Sequence, residues 1–514
     1  MLTDAVAAFL DSVSERAFDQ PLLAIIRAQG FERIHLTHGG REFGKDVIGQ
    51  RDGEQWAWQS KAGDVGQPQW QQMSHQLDEL RLVKLGHGAF DDKLPRRPVL
   101  VITGRLTGNA PDLFRDYNER ARAKGEPALE LWDCETLIGY LAENPDAVLR
   151  GSSDGQLFAA LGSVDSGDAT MENIEHFSRR WSTWEPERIA GLGVVEAATL
   201  CEQLAAGDRL DLACHLALCL VRGSVAAGAT PAISDGAGQM FEIYATRLLE
   251  EGGEEMLGDD LGTESGASAW VSYPVRCTRI AEIVGLFALR LRQHDPKRAE
   301  EVSGWLVRFL AAQPGAAHPI SDSYGVSLIP ATLAAATTDA SAAHELLRSA
   351  TVWLCDAYER DRLGLAAVEA TPIEEVERLL GGPLEWVGYE CRRESLIATV
   401  LLDLAAVLGL GELYADIWND VEAVGIYPRA LRLADGPDQF DRAGMDNRLD
   451  PNVDFAESLD AALPIAPHHA DAAGRELCEA GRAWDLLAVS SAVRDRHFYC
   501  ALEAVARSFG AQSV

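Results

Sequence analysis

The stretch DVIGQRDGEQWAWQSK, residues 46–61, decides how this chain is read. Two short strand-like runs flank Asp52-Gly53, a dipeptide that favours the two-residue turn of a β-hairpin. Side chains alternate along a strand, so Gln59 and Lys61 are expected to face one way and Trp58 and Ser60 the other. Asp46 lies just ahead of the first strand, and a hairpin of this length returns it to the side of Gln59 and Lys61. An acid, an amide carbonyl and an ammonium should therefore meet at one end of the hairpin. Trp56 and Trp58 read most simply as core packing on its back face.

Working outward, residues 15–29 place Phe18, Leu22, Ile25 and Ile26 on one helical face, and Gly30 stops the helix. FERIHLT reads as a strand and HGGREFG as a polar loop. A Gln-rich helix (QPQWQQMSHQLDEL) follows the hairpin. RPVLVIT suits a buried strand. A helix around DLFRDYNERARAKG, a strand ALELW and a closing helix CETLIGYLAEN complete a mixed α/β domain over residues 1–150.

The hairpin set matches the needs of phosphodiester hydrolysis. A carboxylate holds Mg²⁺ or Mn²⁺ through hard oxygen ligands. The cation polarises the phosphoryl oxygen and acidifies a bound water. A lysine positions or deprotonates that water and offsets developing charge. A second carboxylate usually completes such a site. Glu15 is the first choice, because it precedes Phe18 and Leu22 on the inward face of its helix. Asp19 is its rival and Glu42 a third candidate.

Gly44-Lys45-Asp46, a hairpin, then Gln59-Ser60-Lys61, all behind a helix bearing Glu15, resembles the Mrr-like branch of the PD-(D/E)XK restriction-endonuclease superfamily. VLVITGRLT and LELWDCETLIGYL resemble the strand and terminal helix that close that fold. The resemblance implies a restriction-endonuclease-like mixed sheet flanked by helices. It implies that Asp46 binds metal, with Gln59 in place of the usual Glu, and that Lys61 is catalytic. The expected catalytic set is thus Asp46, Gln59, Lys61 and Glu15, with Asp46, Gln59 and Glu15 as metal ligands. The resemblance is confined to the front of the chain.

Residues 151–170 are rich in Gly, Ser and Asp and read as a linker. Residues 171–514 read as a large all-α domain, and an array of helix pairs is one form it could take. RIAEIVGLFALRLRQ buries Ile280, Ile283, Val284, Phe287 and Leu291 on one face. ESLIATVLLDLAAVLG does the same with Leu396, Val400, Leu401, Leu404 and Leu408, with Gly409 as its cap. Residues 250–268 and 434–455 read as acidic loops.

The net charge of −33 is unevenly placed. Residues 1–150 hold 23 acids and 18 bases, a net of −5, and the remainder carries 56 acids against 28 bases, a net of −28. An acidic surface repels phosphate, so any nucleic-acid contact is expected in the front. The nine cysteines are scattered singly without a CxxC pair, which reads as reduced, buried thiol rather than a disulfide framework or a zinc site. No apolar run approaches a bilayer span and the start lacks a secretory pattern, so a cytoplasmic protein with no membrane contact is expected. There is no GxxxxGK[ST], so no P-loop ATPase; a separate recognition or ATPase subunit could supply that task. DNRLDPNVD (446–454), His468-His469 and His497 read as surface or core features rather than metal sites. RDRHFY (494–499) reads as part of an internal ion pair.

The expectation is a metal-dependent endonuclease acting on double-stranded DNA, assembled as a homodimer or higher homo-oligomer. Its acidic helical back would sense, oligomerise or regulate, as in effectors of prokaryotic defence against phage or plasmids. The alternatives are a non-catalytic nucleic-acid-binding scaffold and a repair or junction nuclease, since the fold is shared.

Overall fold

A computed structural model describes residues 2–37, 44–144, 146–149, 155–258, 269–359, 394–428, 472–494 and 502–511. The chain divides into two compact units. The first comprises residues 1–162 and 185–200, and the second residues 163–184 and 201–514.

The first unit opens with helices α1 (Leu2–Ser12) and α2 (Glu15–Ala28). Ser14 caps α2 by accepting from the Ala17 N–H, and Gly30, at φ +78°, turns the chain out of the helix. The sheet then runs β1 (Glu32–Leu36), β2 (Val47–Arg51), β3 (Glu54–Lys61), β4 (Arg96–Ile102) and β5 (Glu130–Trp132), in that spatial order. The first three strands pair antiparallel, and β3–β4–β5 pair parallel. The mixed sheet follows from the connections. Asp52 (φ +53°) and Gly53 (φ +75°) give the type I′ geometry that suits a hairpin, whereas the parallel steps carry crossover helices α3 (Gln67–Leu82) and α4 (Ala110–Ala123). Helix α5 (Cys134–Glu143), capped by Asp133, closes this part.

Period-two alternation sorts the core. Ile48, Ala57, Leu100 and Ile102 pack on Trp70, Met73, Leu77 and Leu80 of α3. On the opposite face Trp58 is fully buried beside Phe31 and Trp132, with ring centroids 4.9 and 5.9 Å away. Tyr140 of α5 meets Trp132 there at 5.1 Å. Each such buried apolar side chain is worth roughly 1.5–3 kcal/mol. The hairpin is thus clamped between two helical layers, and its site-bearing end is held from both sides.

The second unit is helical. Among the described residues its longest members are Pro231–Met256, Ala269–Leu291 and Ala340–Glu359. Leu396–Val407 carries Leu396, Val400, Leu401 and Leu404 into the core, and Gly409 (φ +68°) follows it. Two details depart from the sequence reading. Residues 250–256 continue a helix instead of opening a loop, as the helix propensity of their glutamates favours. A two-residue parallel bridge joins Glu394–Ser395 to Tyr427–Pro428. Residues 434–455, His468, His469 and His497 lie outside the described residues.

The segment read as a linker contains a helix, Gly155–Asp165. A further segment, residues 185–200, also belongs to the first unit and packs a π-turn, Ile189–Gly193, against α1. A Cβ on Gly191 would lie 3.1 Å from the Phe9 nitrogen, so glycine permits that approach. Among the described residues one helical stretch, Pro186–Ala206, is long and apolar enough to cross a bilayer by composition. It is 67% buried within the protein, as a core helix is.

Candidate active site

The site forms where the hairpin strands end. The Asp46 N–H donates to the Trp58 carbonyl (2.8 Å), and the Asp46 carbonyl accepts from the Thr37 N–H (2.9 Å). Asp46 is thereby fixed as the residue that enters β2. Its carboxylate is 7% exposed and lies alongside β3. Oδ2 accepts from the Ser60 N–H (2.7 Å), Gln59 Nε2 (2.8 Å) and the Ser60 hydroxyl (3.1 Å). Lys61 Nζ donates to Glu15 Oε1 at 3.0 Å. The structure therefore brings the four expected residues to one strand end, three from the hairpin and one from the start of α2.

Position explains each member. Glu15 is the first residue of α2, where a carboxylate is favoured by the helix dipole and reaches over the strand end. Asp19, one turn further on, is buried within α2. It is Glu15 whose carboxylate meets Lys61. Glu42 lies outside the described residues.

Ser60 adds to the sequence reading, which gave it no part in the site. The carboxylate of Asp46 does not stand above the sheet. It runs along the strand edge, within reach of the Ser60 peptide, so the hydroxyl of the residue between Gln59 and Lys61 also reaches it. A periodicity argument assigns faces and does not reveal this contact along the strand edge.

The residues ahead of Asp46 tie the site to α3. Gly44 has φ +68°, and a Cβ there would stand 2.2 Å from the Gln76 carbonyl oxygen. Only glycine fits. Lys45 is fully buried and donates to the Glu79 carbonyl in the last turn of α3 at 2.8 Å. Burial pushes the Lys45 ammonium down to about 8, with Arg96 adding repulsion and Glu79 opposing it. Thr37 donates its hydroxyl to the Lys45 carbonyl.

The electrostatics suit a cation. Burial pushes the Asp46 carboxyl above the usual carboxylate range, despite the Ser60 hydrogen bonds and the nearby Lys61 charge. A buried carboxylate whose charge is disfavoured in this way gains from a positive partner. Among the described residues no hydrogen bond reaches Asp46 Oδ1. That oxygen, the Glu15 carboxylate and the Gln59 amide oxygen are hard donors of the kind magnesium and manganese take. Gln59 donates through Nε2 and so keeps its carbonyl oxygen for another partner. The residues fit a divalent cation, although among the described residues no group of three or more His, Cys, Asp or Glu converges.

No curated protein and no solved structure matches the chain. Residues 10–141, which span the sheet, α2 to α4, most of α5 and all four site residues, match the Mrr_cat restriction endonuclease family, so the front of this chain carries a restriction-endonuclease-like nuclease domain.

Proposed function

We propose that this protein is a divalent-metal-dependent endonuclease whose catalytic residues are Asp46, Gln59, Lys61 and Glu15, acting on double-stranded DNA. The observation that carries this reading is the convergence of a buried acid, an amide and a lysine–glutamate pair at one strand end. A magnesium or manganese ion bound there supplies Lewis acidity to the phosphoryl oxygen and acidity to the attacking water.

Asp46 offers its Oδ1, Glu15 its carboxylate and Gln59 its amide oxygen to that ion. Lys61 is paired with Glu15 in the absence of substrate. A cation held in part by Glu15 would weaken the hold of that carboxylate on Lys61. The ammonium would then be available to orient the nucleophilic water or to face the phosphate as negative charge grows. The burial of Asp46, Gln59 and Ser60 keeps bulk water from competing on that side. The test is incubation of the full chain with supercoiled plasmid and, separately, with RNA in Mg²⁺ or Mn²⁺. Cleaved plasmid is expected, whereas binding without cleavage under any condition supports the scaffold reading.

The helical part is proposed to regulate the site, in the manner of a prokaryotic defence effector. The support is the charge split, −28 behind against −5 in front, since an acidic surface disfavours phosphate. Removal of residues 207–514, which keeps the 185–200 segment of the first unit, is expected to raise cleavage per molecule. A folded fragment less active than the full chain contradicts this.

A further inference from the structure

We propose that Ser60 is a positioning residue: its peptide N–H and its hydroxyl together pin Asp46 Oδ2 to the edge of β3, so that Oδ1 is the oxygen offered to the divalent cation. This rests on the hydrolytic reading above and deepens it.

The argument is geometric. A carboxylate spreads about four acceptor sites over two oxygens. Oδ2 takes three donors, at 2.7, 2.8 and 3.1 Å, which fills it. Among the described residues none of these bonds is shared with Oδ1. Among the described residues, a cation approaching Asp46 therefore meets one saturated oxygen and one that accepts no hydrogen bond. Ser60 supplies two of the three donors and is 1% exposed, so water does not compete for them. Two donors from one residue, one of them main-chain, also fix the plane of the carboxylate. Ser60 lies between Gln59 and Lys61, so the strand segment that carries the amide and the ammonium also sets the direction of the acid. The hydroxyl's share is separable, because Ser60→Ala leaves the peptide N–H and the Gln59 donor in place.

The deciding experiment measures Mn²⁺ binding to the full-length protein without nucleic acid, by electron paramagnetic resonance of the free ion. Wild type, Ser60→Ala, Ser60→Cys and Asp46→Ala are compared, with a thermal melt of each. Asp46→Ala should abolish binding at the site. Ser60→Ala should weaken it about 3- to 10-fold, the worth of one hydrogen bond, and Ser60→Cys by an intermediate factor because a thiol is a weaker donor. Ser60→Ala binding as tightly as wild type, with Asp46→Ala defective, overturns the role of Ser60 and leaves the hydrolytic reading standing. Wild type that binds no Mn²⁺, or Asp46→Ala that binds like wild type, overturns both. Should Ser60→Ala melt well below wild type, Ser60→Cys decides: wild-type melting with wild-type affinity overturns the proposal.

Discussion

Asp46 is asked to be an ionised acid in a place that disfavours one. Burial raises its carboxyl above the ordinary value, so the folded state holds its proton more tightly than the unfolded chain. An acid raised in this way favours folding at low pH and loses that advantage as pH rises through its folded value. At neutral pH its charge is therefore a cost that function imposes. Asp46→Asn keeps the shape and an acceptor for the Ser60 N–H while removing the charge. It is expected to raise the melting temperature of the first unit by about 2–4 °C at pH 7, near 1 kcal/mol for a unit of this size. Unchanged or lowered melting in differential scanning calorimetry contradicts that account. That Asp46, Gln59 and Lys61 come together was legible in the sequence from hairpin geometry, whereas Glu15, read onto the inward helical face, meets Lys61 from an exposed position at the start of α2. The role of Ser60 was not legible, because it depends on how a carboxylate lies along a strand end.

The element that positions the site is the pair formed by β2 and α3. Gly44 and Lys45 join them, one by admitting the Gln76 carbonyl and the other by donating to the Glu79 carbonyl. Gly44→Ala forces a Cβ into backbone and into a left-handed conformation at once. It should cost more than about 2 kcal/mol and displace Asp46, so chemical denaturation and cleavage should both suffer. A variant with wild-type stability and activity contradicts this reading of the junction. The strands, turns and helices of the front were readable because each carries a local signal: Asp52-Gly53 for the turn, Gly30 for the end of α2, the continuous apolar run in RPVLVIT for a buried strand. The contact of Lys45 with α3 carries no such signal. It joins residues 34 apart through a main-chain oxygen that any sequence would offer.

At the scale of the whole molecule, the helical unit is held partly by a buried charge network. Glu282 is fully buried against Arg279 at 2.5 Å and Arg494 at 2.8 Å, with the Ser327 hydroxyl at 2.7 Å. Burial opposes its ionisation, but the two guanidinium groups and the hydroxyl outweigh burial and hold its carboxyl down at about 2. A depressed acid contributes stability above its ordinary value near 4.5 and loses it as pH falls toward 2. The helical unit should therefore unfold through that acid window. Glu282→Gln should be less stable at pH 7 by about 3–5 kcal/mol and show a shallower acid transition. Equal melting of the two proteins at pH 7 removes the network from the account. Sequence patterning foresaw a helical back and an internal ion pair for Arg494. It could not name Glu282, 212 residues away, as the partner. Nor could it show that residues 185–200 pack with the front, because both are consequences of tertiary assembly.

The measurement that bears most directly on the hydrolytic site is plasmid cleavage by the full-length protein in Mg²⁺ or Mn²⁺, alongside Asp46→Ala and Lys61→Ala. Metal-dependent nicking or linearisation by wild type is predicted, with each variant slowed by about 10²-fold or more. Cleavage that survives both substitutions, or that persists in excess chelator, contradicts the assignment.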